Sequence, residues 1–164
     1  MRPIFRQFAY MAYIAGLSLI ALSLTAHLAY AQSKDAFLGK WVMDPDHSQF
    51  TPGPGPFDRS MIFEMKNGSL HNLTSTRTAN GGITTIEYTA KFDGHDYPID
   101  GTGLDTVSIK RDDPNTIDRT GKVRGMPSET CLMKIAPDGK TLTMTVKGAY
   151  NGANYASTQI YRRQ

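Results

Sequence analysis

The chain has 164 residues, a formal charge of +3 and 20% charged residues. The charges form no basic stripe, which leaves nucleic-acid binding without an electrostatic footing. Cysteine occurs once, as Cys131, so no internal disulfide can form and the fold must rest on packing and backbone hydrogen bonds.

Residues 1–31 read as a secretory signal peptide. Arg2 and Arg6 form its basic start, Met11 to Leu24 its apolar middle, and Ala29-Tyr30-Ala31 its small-residue cleavage site. Cleavage after Ala31 would start the mature chain at Gln32 and place it in the periplasm or outside the cell, with no stable membrane insertion. The alternative is an uncleaved membrane anchor, because Gln7 to Ser33 carries no formal charge and could cross a bilayer of ~30 Å. Loss of the leader removes Arg2 and Arg6 and takes the charge to +1. About 130 residues remain, enough for one domain (32–164) with a modest core.

The mature chain alternates with period two and is punctuated by turns. The first predicted strand is Phe37–Met43. Thr51-Pro52-Gly53-Pro54-Gly55-Pro56 then reads as an extended crossing, since proline breaks both helix and central strand. Met61, Phe63 and Met65 alternate with Ile62, Glu64 and Lys66. Asn67-Gly68 signals a hairpin into residues 69–78, whose inward face the sequence leaves open. Asn80-Gly81-Gly82 signals the next hairpin, after which Ile86, Tyr88, Ala90 and Phe92 share a face. Further strands are expected at Asp105–Arg111 and Thr116–Val123. Cys131, Met133 and Ile135 then alternate with polar neighbours up to the Pro137-Asp138-Gly139-Lys140 turn. Leu142, Met144 and Val146 repeat the pattern within Thr141–Lys147, and Ser157–Arg163 ends the series. About nine strands at near-even spacing predict an all-β fold: one antiparallel up-and-down barrel of eight to ten strands, closed because closure removes both edges.

Gly39-Lys40-Trp41 resembles the opening strand of the calycins, the superfamily of lipocalins and fatty-acid-binding proteins. Thr158 to Arg163 resembles their last strand, which closes against that tryptophan and often sets a basic residue over the indole. The resemblance implies barrel closure through Gly39, Trp41 and one of Arg162 or Arg163, which point to opposite faces. A closer resemblance covers nearly all of the mature chain. It is carried by Ser48-x-Phe50 with Pro52-Gly53-Pro54, by Tyr88 to Pro98, by Asp105-Thr106-Val107-Ser108 and by Asp138 to Thr143. These resemble a family of small exported bacterial proteins with a lipocalin-like appearance and no assigned function. Two departures from fatty-acid-binding proteins stand out. Pro52 to Pro56 occupies the place of their helical lid. Gln159 stands where their last strand carries a carboxylate-gripping arginine, which argues against fatty-carboxylate binding at that position.

The expected ligand-binding residues are the adaptable methionines and aromatics of the apolar strand faces: Met61, Phe63, Met65, Tyr88, Phe92, Met133 and Met144. They could equally fill a solid barrel. Asp93, Asp96 and Asp100 with His95 could hold a cation but also read as turn chemistry. His47, His71 and His95 have no zinc-like spacing. Asp46-His47-Ser48 contains triad residue types, yet adjacent residues cannot adopt triad geometry and no nucleophile elbow is present. Cys131 reads as a small buried hydrophobe. Nothing in the pattern asks for a cofactor, a metal or catalysis. Two functions remain: a barrel holding a small apolar or amphipathic ligand, or a filled barrel whose surface meets a protein or envelope partner.

Overall fold

The computed structural model describes residues 35–78, 80–150 and 152–164. The leader reading at 1–31 lies outside the described residues. Ten strands follow in chain order: β1 (Gly39–Thr51), β2 (Arg59–Lys66), β3 (Ser69–Arg77), β4 (Ile83–Ala90), β5 (Tyr97–Asp100), β6 (Thr106–Asp113), β7 (Thr116–Val123), β8 (Met126–Ile135), β9 (Thr141–Tyr150) and β10 (Ala153–Arg163). Each pairs antiparallel with its sequence neighbours, and β10 returns to β1, so the meander closes into the expected up-and-down barrel.

Alternation sorts the side chains. Cys131, Met133 and Ile135 of β8 and Leu142, Met144 and Val146 of β9 are buried, while Lys134 and Lys147 are exposed. In a closed sheet the inward set of every strand meets in one interior. The β2–β3 hairpin turns on Asn67 (φ 51°) and Gly68 (φ 76°), both left-handed as a two-residue type I′ loop requires. Arg124 (φ 51°) with Gly125 builds the same turn between β7 and β8. Arginine is not a turn former, so the sequence carries only half of that signal.

One expectation is corrected. Asp93 to Gly101 is not turn alone: its second half is β5. This strand pairs through only two residues on each side, Glu87↔Asp100 and Tyr88↔Ile99 with β4, then Tyr97↔Val107 and Pro98↔Thr106 with β6. Four residues, one of them a proline without an N–H, are too few to display a period. The turn chemistry holds only at Asp93, whose carboxylate accepts the His95 backbone N–H at 2.9 Å and the Tyr97 hydroxyl at 2.7 Å. Asp96 pairs with Lys122 at 2.7 Å. Among the described residues no cluster of three or more His, Cys, Asp or Glu could hold a metal ion.

The two ends of the barrel differ. At the closed end, Phe37, Trp41, Phe63, Leu70, Ile117 and Leu142 are fully buried. Phe37 meets Phe63 edge-on at 6.3 Å and accepts the Trp41 indole N–H at its carbonyl, 2.8 Å away. The Arg163 guanidinium lies 4.3 Å from the indole centroid. It donates to the carbonyls of Gly139 (2.7 Å), Leu38 (2.6 Å) and Ala36. Arg162, on the opposite face, pairs with Asp44 at 3.1 Å and is half exposed. Arg111 covers the same end from outside, 4.3 Å from the Phe92 ring and bound to Asp35 at 2.6 Å. At the other end β1 and β2 part. Their pairing covers only Gly39–Val42 against Ser60–Phe63, whereas β1 continues along β10 from Gln49 to Thr51. The Pro52 to Pro56 crossing spans the gap.

Candidate functional site

The parting of β1 and β2 leaves the open half of the barrel unfilled. A cavity of about 330 Å³ lies there, its mouth framed by Phe50, Pro52, Pro54 and Pro56. That volume falls at the lower end of small-molecule pockets, ~300–1,000 Å³.

Five of the seven expected ligand residues line it: Met61, Phe63, Tyr88, Met133 and Met144. Two are corrected. Met65 keeps the inward phase of β2 but lies past Phe63 at the closed end, beside the hairpin, and is 41% exposed. Phe92 follows the end of β4 and packs under Arg111 rather than lining the cavity. Strand phase predicts direction, but a side chain enters the cavity only if its strand is still beside it at that height.

Ile86, Ile99, Leu104 and Val146 add to the apolar lining, but the wall also has a polar part that the sequence reading missed. Arg119 of β7 shares the inward phase of Ile117, and Glu129 of β8 that of Cys131. Their ion pair sits inside the barrel with side chains 11% and 14% exposed. Glu129 also accepts the Tyr155 hydroxyl at 2.6 Å. Tyr155 reaches it by crossing β9 at Gly148, which is in register with both Glu129 and Tyr155. A Cβ at Gly148 would lie 2.5 Å from the phenol, so only glycine admits this contact. Burial works against the Arg119 charge, but the Glu129 carboxylate beside it acts the other way, and its pKa is raised. Burial, opposed by Arg119, pushes the Tyr88 phenol up to about 12. Burial likewise raises the Cys131 thiol, which keeps it in the inert, protonated form.

A second polar group faces the first. Gln159 of β10 accepts at Oε1 from the Tyr161 hydroxyl (2.7 Å) and from Arg59 of β2 (3.2 Å), and its amide donates to Ser157 at 2.8 Å. Arg59 also donates from Nε to Thr76 at 2.9 Å. Burial pushes the Tyr161 phenol up to about 12, with Arg59 pulling the other way. Asn72 and Thr74 of β3 add an amide and a hydroxyl to the wall. The signal for Arg59, Arg119 and Glu129 was available, since each lies two residues beyond an apolar inward position. Arg119 falls inside the expected strand Thr116–Val123, whereas Arg59 and Glu129 lie just outside the apolar runs that mark their strands.

The triad residue types are held apart. His47 Nδ1 sits 2.9 Å from Asp44, and the Ser48 hydroxyl donates to the Asp44 carbonyl and accepts the Ile160 N–H. His71 is buried on the outer side against Thr89 at 3.0 Å.

No family model matches the chain, and no curated protein matches it. Among solved structures, it is similar to the zebrafish ileal bile acid-binding protein complexed with cholic acid. The TM-score is 0.51 at 11% identity, covering 79% of this chain and 99% of that one. At that identity the likeness is one of fold: a closed, calycin-like barrel of ten antiparallel strands.

Proposed function

We propose that the chain is an exported binding protein that holds a small amphipathic molecule inside the barrel. The observation that carries this reading is the cavity of about 330 Å³ lined by both apolar side chains and two polar groups, entered past the proline crossing. A barrel serving only as a scaffold would gain by filling that space, because each unfilled void costs packing contacts. Keeping an ion pair and two amides there makes sense if a ligand's polar groups meet them. The amphipathic ligand named with the zebrafish protein agrees in chemical kind. Export is supported by the leader pattern at 1–31 and by the resemblance to small exported bacterial proteins. Native mass spectrometry of the protein purified from its own host tests both parts. The expected result is a chain beginning at Gln32 with a retained small molecule. A chain that keeps residues 1–31 would overturn the export reading. A ligand-free chain that takes up no added amphiphile would overturn the binding reading.

One observation favours a second reading, in which the outer surface meets a protein or envelope partner. Phe57, Ile83 and Met126 are 60%, 66% and 68% exposed. All three belong to loops or strand ends at the open end of the barrel. Among the described residues, three of the four exposed large apolar side chains thus surround the mouth, which suits a contact surface there.

A further inference from the structure

We propose that the ligand carries an anionic head group and that Arg59 is the residue that binds it. The inference rests on the binding reading and deepens it. Three ionised side chains line the cavity: Arg59, Arg119 and Glu129. Arg119 and Glu129 neutralise one another. Arg59 has no carboxylate partner among the described residues; its bonds go to Thr76 and to the Gln159 amide oxygen, both neutral. The cavity therefore holds one uncompensated positive charge.

Donor inventory points the same way. A guanidinium has five N–H donors, and Arg59 commits two of them, one from Nε and one from Nη1. The acceptor it leans on is already shared, since Gln159 Oε1 also takes the Tyr161 hydroxyl. What this corner lacks is acceptors and negative charge. A carboxylate, sulfonate or phosphate ester supplies both, and guanidinium binds such oxygens in forked pairs. The apolar residues of the lining, Met61, Met133 and Met144 among them, would take the ligand's hydrocarbon part. The neutral Gln159 thus does not exclude an acid, because the cation arrives from β2, 100 positions away in sequence.

The test is isothermal titration calorimetry of the full chain with decanoate, decanol and decyltrimethylammonium, which share a tail and differ in head-group charge. Decanoate is expected to bind about tenfold or more tightly than decanol, and the cation weakest. Arg59→Gln should reduce decanoate to the level of decanol while leaving decanol within about twofold of wild type, which also shows that the variant is folded. Arg59→Lys should recover part of the loss, because it keeps the charge without the fork. Arg77→Gln removes an exposed cation paired with Asp58 at the rim and should change nothing. Equal binding of decanoate and decanol, or full decanoate binding by both Arg59 variants, would overturn the head-group assignment and leave the pocket reading intact. Failure of all three amphiphiles to bind wild type would overturn both.

Discussion

Trp41 and the two arginines at the end of β10 allow a comparison at single side chains. Trp41 is fully buried, so Trp41→Ala should cost ~3–5 kcal/mol. Arg163→Ala removes a cation–π contact and three charge-assisted bonds to carbonyls, a loss expected at about 2–4 kcal/mol. Arg162→Ala breaks a half-exposed ion pair and should cost about 0–1 kcal/mol. Urea midpoints of the three variants check the order. Coincident midpoints for the two arginine changes would mean that the stacking contributes nothing. The sequence offered both arginines without distinction, because it reveals alternate facing but not which phase is inward at a strand's last residues. Register supplies the answer by setting Trp41 opposite Arg163.

Asp93 makes a prediction about acid. Its carboxyl is held down to about 2, first by the His95 backbone N–H and then by the Tyr97 hydroxyl. A pKa depressed on folding stabilises the fold fully above the unfolded value of ~3.9 and loses that contribution as pH falls through about 2. Wild type should therefore be more stable than Asp93→Asn at neutral pH. The gap should narrow between pH ~4 and ~2 in urea titrations at stepped pH. A gap that stays constant over that range would refute the assignment.

At the scale of elements, β7, β8, β9 and β10 share a single polar arrangement. Glu129→Leu would strand the Arg119 charge inside the barrel and should cost ~3–5 kcal/mol, whereas Arg119→Met with Glu129→Leu and Tyr155→Phe, which removes all three polar partners, should be near neutral. Gly148→Ala should displace Tyr155 from Glu129 at a cost of about 1–3 kcal/mol. Adding Tyr155→Phe should then cost little more, since the hydroxyl bond is already lost. A double-mutant cycle in chemical denaturation measures that coupling. Additive single costs would show that Gly148 does not serve the Tyr155 contact. Most elements were legible as apolar runs bounded by turn residues. β5 was not, being four residues long with two pairs on each side. The polar part of the cavity was not legible either, because a charged residue on an inward phase cannot be told from one that faces solvent unless its opposite partner is known to lie beside it.

For the whole molecule, even strand spacing and one polar face per strand made the closed barrel readable, but not the space within it. The cavity lies where β1 and β2 no longer pair, and that register is set between two strands rather than within any one run. Ligand in excess should stabilise the domain by mass action, by ~2.7 kcal/mol at a hundred times Kd. Thermal unfolding with decanoate should show a rising Tm in wild type and a clearly smaller rise in Arg59→Gln. An equal rise in both would mean that the stabilisation does not come from Arg59.

The closure also sets a timetable. Leu38 and Arg163, bonded in the finished barrel, are 125 positions apart, so a chain emerging from a ribosome or translocon amino end first shows β1 long before β10 exists. Until those last residues arrive, β1 has only its short pairing with β2, and the Trp41 ring has no cover. Such far-apart pairing makes folding slow. A polypeptide that cannot complete its barrel early stays open for longer. It also makes the end of β10 the moment of commitment: stopping translation before Tyr161 should release a chain that proteases remove, however well strands β1 to β9 are made.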